Sequence, residues 1–350
     1  MTSKVQSLID TLCETHSLSE EQYAQILRGR TQEAQDCLTQ RAAQVRSKVY
    51  GNGIFIRGLI EISSFCKNDC LYCGLRRSNG RAERYRLSPE EIAECCKTGY
   101  ELGFRTFVLQ GGEDSWFTDE RVARIVSDIK QMLPDCAVTL SLGEKSRETY
   151  QLWFDAGADR YLLRHETADA QHYARLHPSE LSLENRLRCL SDLRDIGYQT
   201  GCGFMVGSPF QTPECLAKDL CFIEKFRPHM VGIGPFIPHK DTPFAQYPAG
   251  SAQLTVYLMS ILRLMLPEVL LPATTALNSI DPYGREQGIL AGGNVLMPNL
   301  SPEDVRKKYL LYNGKKSTGA ESAQSLDALR GQMRRIGFEL VVDRGDSKLK

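Results

Sequence analysis

The stretch TFVLQGGEDSWFTDERVARIVSDIKQMLPDCAVTLSL, residues 106–142, holds one whole structural unit and sets the reading of the chain. An apolar run (Thr106 to Gln110) meets a polar turn, Gly111-Gly-Glu-Asp114, and a helical pattern follows from Thr118 to Met132. A second apolar run, Ala137 to Leu142, completes a strand–helix–strand unit. Runs that are apolar throughout suit parallel strands covered by helices on their outer face.

The same rhythm extends in both directions. Before it lie a strand at Ile54 to Ile62 and a helix at Pro89 to Leu102. After it come a helix at Arg147 to Ala156, a strand at Arg160 to Arg164 and helices near 169–175 and 182–195. Strands at Thr200 to Val206, Met230 to Pro235, Leu270 to Thr275 and Gly293 to Met297 alternate with helices at 213–226, 251–265 and 284–290. Eight such units predict an α/β fold of the (β/α)8 TIM-barrel type, with the chemistry on loops at the carboxyl ends of the strands. No Gly-x-Gly-x-x-Gly opens a helix, which disfavours an open dinucleotide-binding sheet. The domain reading is a helical cap over 1–50, a barrel over 51–300 and a C-terminal extension over 301–350 packed on the barrel, with a loop at Gly314 to Gly319, a helix near Ala323 to Ile336 and final residues that fray.

Composition narrows the partners. The 350 residues carry 43 basic and 43 acidic side chains, so no net field favours nucleic acid or an anionic membrane. No apolar run is long enough to span a bilayer, and the start lacks the apolar core of a signal peptide. The twelve cysteines are therefore expected to be reduced, in a cytoplasmic protein. Nine of them are scattered and read as small buried hydrophobes.

The other three form Cys66-Lys-Asn-Asp-Cys70-Leu-Tyr-Cys73, a C-x3-C-x2-C motif after the first strand. Sulfur ligands suit zinc or an iron–sulfur cluster. A closed zinc site takes four ligands, and no fourth Cys or His stands nearby, so an iron centre with one open position is the more natural reading. On the barrel topology, Gly111 to Asp114, Gly143-Glu144, the Arg160-to-Glu166 segment and Thr274-Thr275 face the same mouth. Arg160 and Arg164, four apart on one strand, share a face and call for anions. His165 could serve as a base or as a structural histidine; His239 sits in a loop near the mouth.

The cysteine motif, with an aromatic before its third cysteine, resembles the signature of radical S-adenosylmethionine (SAM) enzymes. Taken with LQGGED (109–114), LSLGE (140–144), RYLLRHET (160–167), VGIGPFIPH (231–239) and PATTA (272–276), residues 50 to 312 resemble the HydE family of [FeFe]-hydrogenase maturases. The resemblance implies that Cys66, Cys70 and Cys73 hold one [4Fe-4S] cluster whose fourth iron chelates SAM, and that reductive cleavage yields a 5'-deoxyadenosyl radical. It assigns Tyr72, Gly111, Gly112, Glu113, Asp114, Glu166 and Arg186 to cofactor binding. It assigns Arg160, Arg164, Thr274, Thr275 and Tyr312 to a substrate site for a small cysteine-bearing iron precursor of the di-iron subcluster. A reductant such as ferredoxin or flavodoxin and other hydrogenase maturases are the implied partners. Some family members carry a second cluster on C-terminal cysteines; here no cysteine follows Cys221, so one cluster is expected. Methylornithine synthase and biotin synthase are the nearest alternatives, and a non-catalytic iron–sulfur or zinc scaffold is the alternative of another class.

Overall fold

The computed structural model describes residues 1–316 and 322–349. Six parallel strands follow one another in chain order: Gly58–Ser63, Thr106–Gly111, Ala137–Ser141, Arg160–Leu162, Gln199–Cys202 and Met230–Val231. The sheet continues through a bridge from Met230 to Leu270 and another from Pro272 to Val295, and Leu59 meets Asn299 to close the ring. Hydrogen bonds from Arg57 N to Leu296 O and from Leu59 N to Pro298 O, both 2.9 Å, seal the last seam. The result is the expected eight-position parallel barrel with helices outside. Strand residues such as Ile60, Phe107, Val138 and Val231 are fully buried, as a sheet walled on both faces requires.

The helices start where their caps dictate. Ser88 and Glu91 form a reciprocal capping box ahead of Pro89–Glu101, and Thr118, Ser146 and Thr212 each cap the helix that follows. Three N-terminal helices, Ser3–Thr15, Glu20–Arg28 and Gln32–Tyr50, cover the barrel helices Pro213–Phe226 and Ala252–Met265. That cover explains why Ala252–Met265 is buried nearly all round.

Three of the expected strands are divided, the 160–164 run ends at Leu162, and the 270–275 run contributes only single bridges at Leu270 and Pro272 before a helix begins at Thr275. The run 54–62 divides at Arg57, its lower part Gly53–Ile56 pairing with Val295–Leu296 and with Glu339–Val341. The runs 200–206 and 230–235 also divide, and their outer pieces, Met205–Val206 and Gly234–Pro235, form a separate pair. Gly203 makes the break possible: its φ is +152° and a Cβ there would lie 2.0 Å from Gly232 O. The outer pieces flare and become the upper wall of the cavity.

The C-terminal part is more ordered than expected. The helix near 323–336 is present as a 3-10 turn, Ala323–Ser325, and a helix, Leu326–Arg335. Of the loop expected at 314–319, residues 317–319 lie outside the described residues. Where fraying is expected, Arg344 and Asp346 instead pack into the floor of the barrel. Arg160 is fully buried there, with Nη2 2.5 Å from Asp346 Oδ1, Nη1 donating to Thr106 Oγ1 at 2.9 Å and Nε to Gln199 Oε1 at 3.2 Å. Arg344 adds contacts to Asp159 and Asp346 at 2.8 and 3.0 Å. Arg57 lies beside this network, and burial, then the charge of Arg160, lower its pKa well below the usual arginine value.

Burial raises the Asp346 pKa, but Arg160 and its hydrogen-bond donors outweigh that and hold it at about 2. Its unfolded value is about 3.9. A depressed folded pKa contributes stability that is whole above about pH 4 and is lost as pH falls toward 2. Urea midpoints measured from pH 5 to pH 2 should therefore fall less steeply for Asp346→Asn than for the unaltered chain, with SAM affinity unchanged at pH 7.

Candidate active site

The cysteine loop leaves the first strand and is held from behind by residues with no obvious sequence signal. The Arg84 guanidinium donates to the carbonyls of Ser64, Leu75, Arg76 and Asn79, the middle two at 2.9 and 2.8 Å. Asp69 accepts from Arg76 Nε at 2.8 Å and from the Ser78 hydroxyl at 2.7 Å. Backbone bonds from Lys67 N to Glu113 O and from Gly74 N to Leu311 O, both 2.9 Å, tie the loop to its neighbours. Sequence reading missed Arg84 because its partners are carbonyls, which leave no pattern in side-chain spacing.

Cys66, Cys70 and Cys73 line one cavity of about 310 Å³ at the carboxyl end of the barrel. Burial pushes all three thiols up, Cys73 to about 12, with the charges of fellow cysteines adding to the rise at Cys70 and Cys73. Thiols so placed need bound cations to persist as thiolates. Among the described residues no three Cys, His, Asp or Glu side chains are gathered tightly enough for one shared ion. Three thiols spread round a cavity suit a cluster whose irons each take one thiolate. Gly112 supplies a further sign of fit: a Cβ there would lie 2.2 Å from Phe65 O and 2.7 Å from Cys66 Cβ, so only a glycine lets this loop approach the cysteines.

The opposite wall is charged. Arg186 Nε lies 2.5 Å from Glu144 Oε1, and its Nη1 donates to Arg164 O at 3.0 Å. Arg164 Nη2 stands 3.0 Å from Glu166 Oε2 without hydrogen-bond alignment, and Arg164 Nε is buried with no partner. Glu166 occupies the left-handed region at φ +66°, held by its N–H to Gly203 O at 3.0 Å. Thr274 Oγ1 is likewise buried with no partner on the cavity wall. Buried groups left unpaired in this way are costly unless a ligand meets them.

Most of the sequence-derived site residues meet here: Tyr72, Gly111, Gly112, Glu113, Arg164, Glu166, Arg186, Thr274 and Tyr312 line the cavity with the three cysteines. Tyr72 also places its hydroxyl 3.2 Å from His177 Nε2. Three residues are not brought in. Arg160 is on the barrel floor, as described. Asp114 turns away: its carboxylate accepts from Ser63 Oγ at 2.7 Å, Arg86 Nε at 2.7 Å and Trp116 N at 3.0 Å, so it braces the glycine turn. Thr275 begins the short helix Thr275–Ile280 and lies by a small side crevice with Arg285 and Leu329.

His165 is not placed to act as a base. It is fully buried off the cavity, its Nδ1 accepting from Gly203 N at 3.3 Å and its Nε2 3.3 Å from Asp219 Oδ1. Burial drives its pKa down to about 3, so the ring is neutral. His239 lies on the outer side of the cysteine loop.

A closed parallel barrel with three thiols from a C-x3-C-x2-C loop and a charged wall facing them defines a radical SAM enzyme, and residues 60–223 match the Radical SAM superfamily. The [FeFe] hydrogenase maturase subunit HydE of Thermotoga maritima is 48% identical over 280 residues, 80% of each chain. The chain belongs to the family of that maturase. A 3-methylornithine synthase of Methanosarcina acetivorans is 29% identical over 85% of this chain and 83% of its own. Among solved structures, a methylornithine synthase matches with a TM-score of 0.82 at 27% identity, covering 95% of this chain and 97% of that one. A structure of the hydrogenase maturase HydG shares the fold, with a TM-score of 0.80 at 19% identity over 97% of this chain and 76% of that one.

Proposed function

We propose that this chain cleaves SAM reductively and applies the resulting radical to a small, sulfur-bearing iron precursor during assembly of the [FeFe]-hydrogenase di-iron subcluster. The observation that carries this reading is one cavity lined by the three thiols and by the unpaired Arg164 Nε and Thr274 Oγ1. When bound, the reduced cluster supplies the one electron that breaks the carbon–sulfur bond of SAM.

The protein's own groups supply the rest. Cys66, Cys70 and Cys73 hold three irons and leave the fourth open, because no further thiol lines the cavity among the described residues. Gly111 and Gly112 admit the cofactor's amino end, with Glu113 providing negative charge. Arg186, kept in place by Glu144, meets its carboxylate, and Tyr72 flanks its adenine. Arg164 and Thr274, with Tyr312, anchor an anionic or amino-acid-like substrate. Apolar side chains, Leu162, Met205, Phe236 and Leu311, close the cavity and exclude water from the radical. One [4Fe-4S] cluster is the complement, with a ferredoxin or flavodoxin as reductant and other hydrogenase maturases as partners. The setting is the cytoplasm, and no described helix is long and apolar enough to cross a membrane.

Anaerobic reconstitution followed by dithionite and SAM tests this reading. It requires four irons per chain, an EPR signal that changes when SAM is added, and 5'-deoxyadenosine as product. Absence of 5'-deoxyadenosine would leave a scaffold. The kinship with methylornithine synthase favours one second reading, and incubation with lysine decides it: a methylornithine product would replace the maturase assignment.

A further inference from the structure

Leu75 lines two spaces at once: the central cavity and a second cleft of about 210 Å³ on the outer side of the cysteine loop. The wall between them is thin. Cys73 lines the inner cavity and the next residue, Gly74, lines the outer cleft, adjacent Cα atoms being about 3.8 Å apart. The Leu310 backbone and the His239 ring pack directly on Gly74, where a Cβ would lie 2.1 Å from Leu310 O and 2.6 Å from the ring, so only glycine fits at this point of the partition.

The outer cleft also has a charge that the chain as a whole lacks. Arg81, Lys240, Lys307 and Lys308 line it against Glu83 and Asp241, and Asp241 is already paired with Arg81 at 2.8 Å. Lys240 and Lys307 are exposed, and among the described residues no ion pair engages Lys240, Lys307 or Lys308. Leu310 lines the same cleft and is one of the few large apolar side chains left in solvent, 39% exposed. An exposed apolar side chain in a cleft lined by these unpaired lysines suits a small, transient, charge-steered interface.

We propose that this cleft is the docking surface for a small acidic one-electron carrier protein, seated on Leu310 with its redox centre toward Gly74. The inference rests on the reading of Cys66, Cys70 and Cys73 as cluster ligands. One electron leaves the carrier and enters the cluster across the Gly74 wall; no bond forms or breaks and no proton moves at the interface. The lysines bring the carrier to the face where the path is shortest, while SAM and substrate enter from the barrel mouth. Reduction and substrate exchange therefore do not compete for one opening.

The test uses reconstituted holoenzyme and an acidic [4Fe-4S] ferredoxin as probe, with Lys240→Glu, Lys307→Glu and Lys308→Glu combined. Biolayer interferometry should show ferredoxin affinity reduced by about tenfold or more, and ferredoxin-driven 5'-deoxyadenosine formation should fall in parallel. The dithionite-driven rate should stay unchanged, which also reports that the variant is folded and loaded. Lys307→Glu alone should weaken binding by an intermediate amount, and added salt should weaken binding to the unaltered protein more than to the triple variant. A control with Lys4→Glu, Arg30→Glu and Lys48→Glu should bind normally. Ferredoxin binding by the triple variant that equals the unaltered protein, or equal weakening in the control, overturns the proposal. Failure of the unaltered protein to form 5'-deoxyadenosine with dithionite would instead sink the radical SAM reading beneath it.

Discussion

Cys70→Ser is expected to abolish SAM cleavage and most of the cluster, lowering iron and sulfide content together. Cys70 sits between its two fellow ligands in a loop pinned by Arg84 and Asp69, so no neighbouring group can swing in to replace it. A serine hydroxyl does not ionise at neutral pH and is a poor ligand for iron that thiolates prefer. Loss of an outer hydrogen-bonding partner alone typically costs a metal site about 10–100-fold, and loss of a direct ligand should exceed that. Cys37→Ser and Cys221→Ser are the matched controls, because both are half-exposed cysteines away from the cavity. Equal iron and equal 5'-deoxyadenosine in Cys70→Ser and Cys37→Ser would defeat the assignment of the triplet.

The second large effect concerns the segment that roofs the cavity. Tyr309, Leu311 and Tyr312 line its wall, and Lys315, a few residues on, reaches Glu61, which is completely buried on the first barrel strand. Asn299 Nδ2 donates to the other Glu61 oxygen at 2.9 Å, and Lys315 Nζ also donates to Tyr309 O at 3.1 Å. Lys315→Met strands the Glu61 carboxylate without its counter-charge, a change that costs about 3–5 kcal/mol when a buried pair loses one member. Urea denaturation should show that loss, and SAM affinity should weaken because the roof loses its tether. Adding Glu61→Gln should restore most of the stability, since the orphaned charge is gone. A Lys315→Met midpoint equal to that of the unaltered chain would remove the pair from the account.

These cases show what sequence can and cannot convey. The barrel was legible because apolar strands and amphipathic helices alternate at regular intervals, and the cluster site because three ligands lie within eight residues. Arg160 and Arg164 illustrate the limit. Residues four apart on a strand do share a face, but at about 3.3 Å per residue they are some 13 Å apart along it. Arg160 opens the strand and meets the floor, whereas Arg164 follows the strand's end at Leu162 and meets the mouth; the shared face says nothing of this separation along the strand. The Thr274-Thr275 pair parts in a similar way: a helix starts at Thr275, so Thr274 lines the cavity while Thr275 lies by the side crevice. Asp114 looks like a ligand in sequence because its partners, Ser63 and Arg86, are distant in the chain. The docking of the last residues was invisible for the same reason: Arg160 and Asp346 are separated by 186 positions.

That floor has a consequence for how the chain comes off the ribosome. Gly53–Ile56 is made early, yet its partner Glu339–Val341 and the stopper residue Asp346 come almost 300 positions later. Domains usually fold as they emerge during synthesis, but here the nascent barrel must wait with Arg57 and Arg160 uncovered at its base. Pairings this distant are slow to form. The base is thus among the last parts of the barrel to close, and a nascent chain that has displayed residues only up to about 335 would hold a barrel whose base is still open to water.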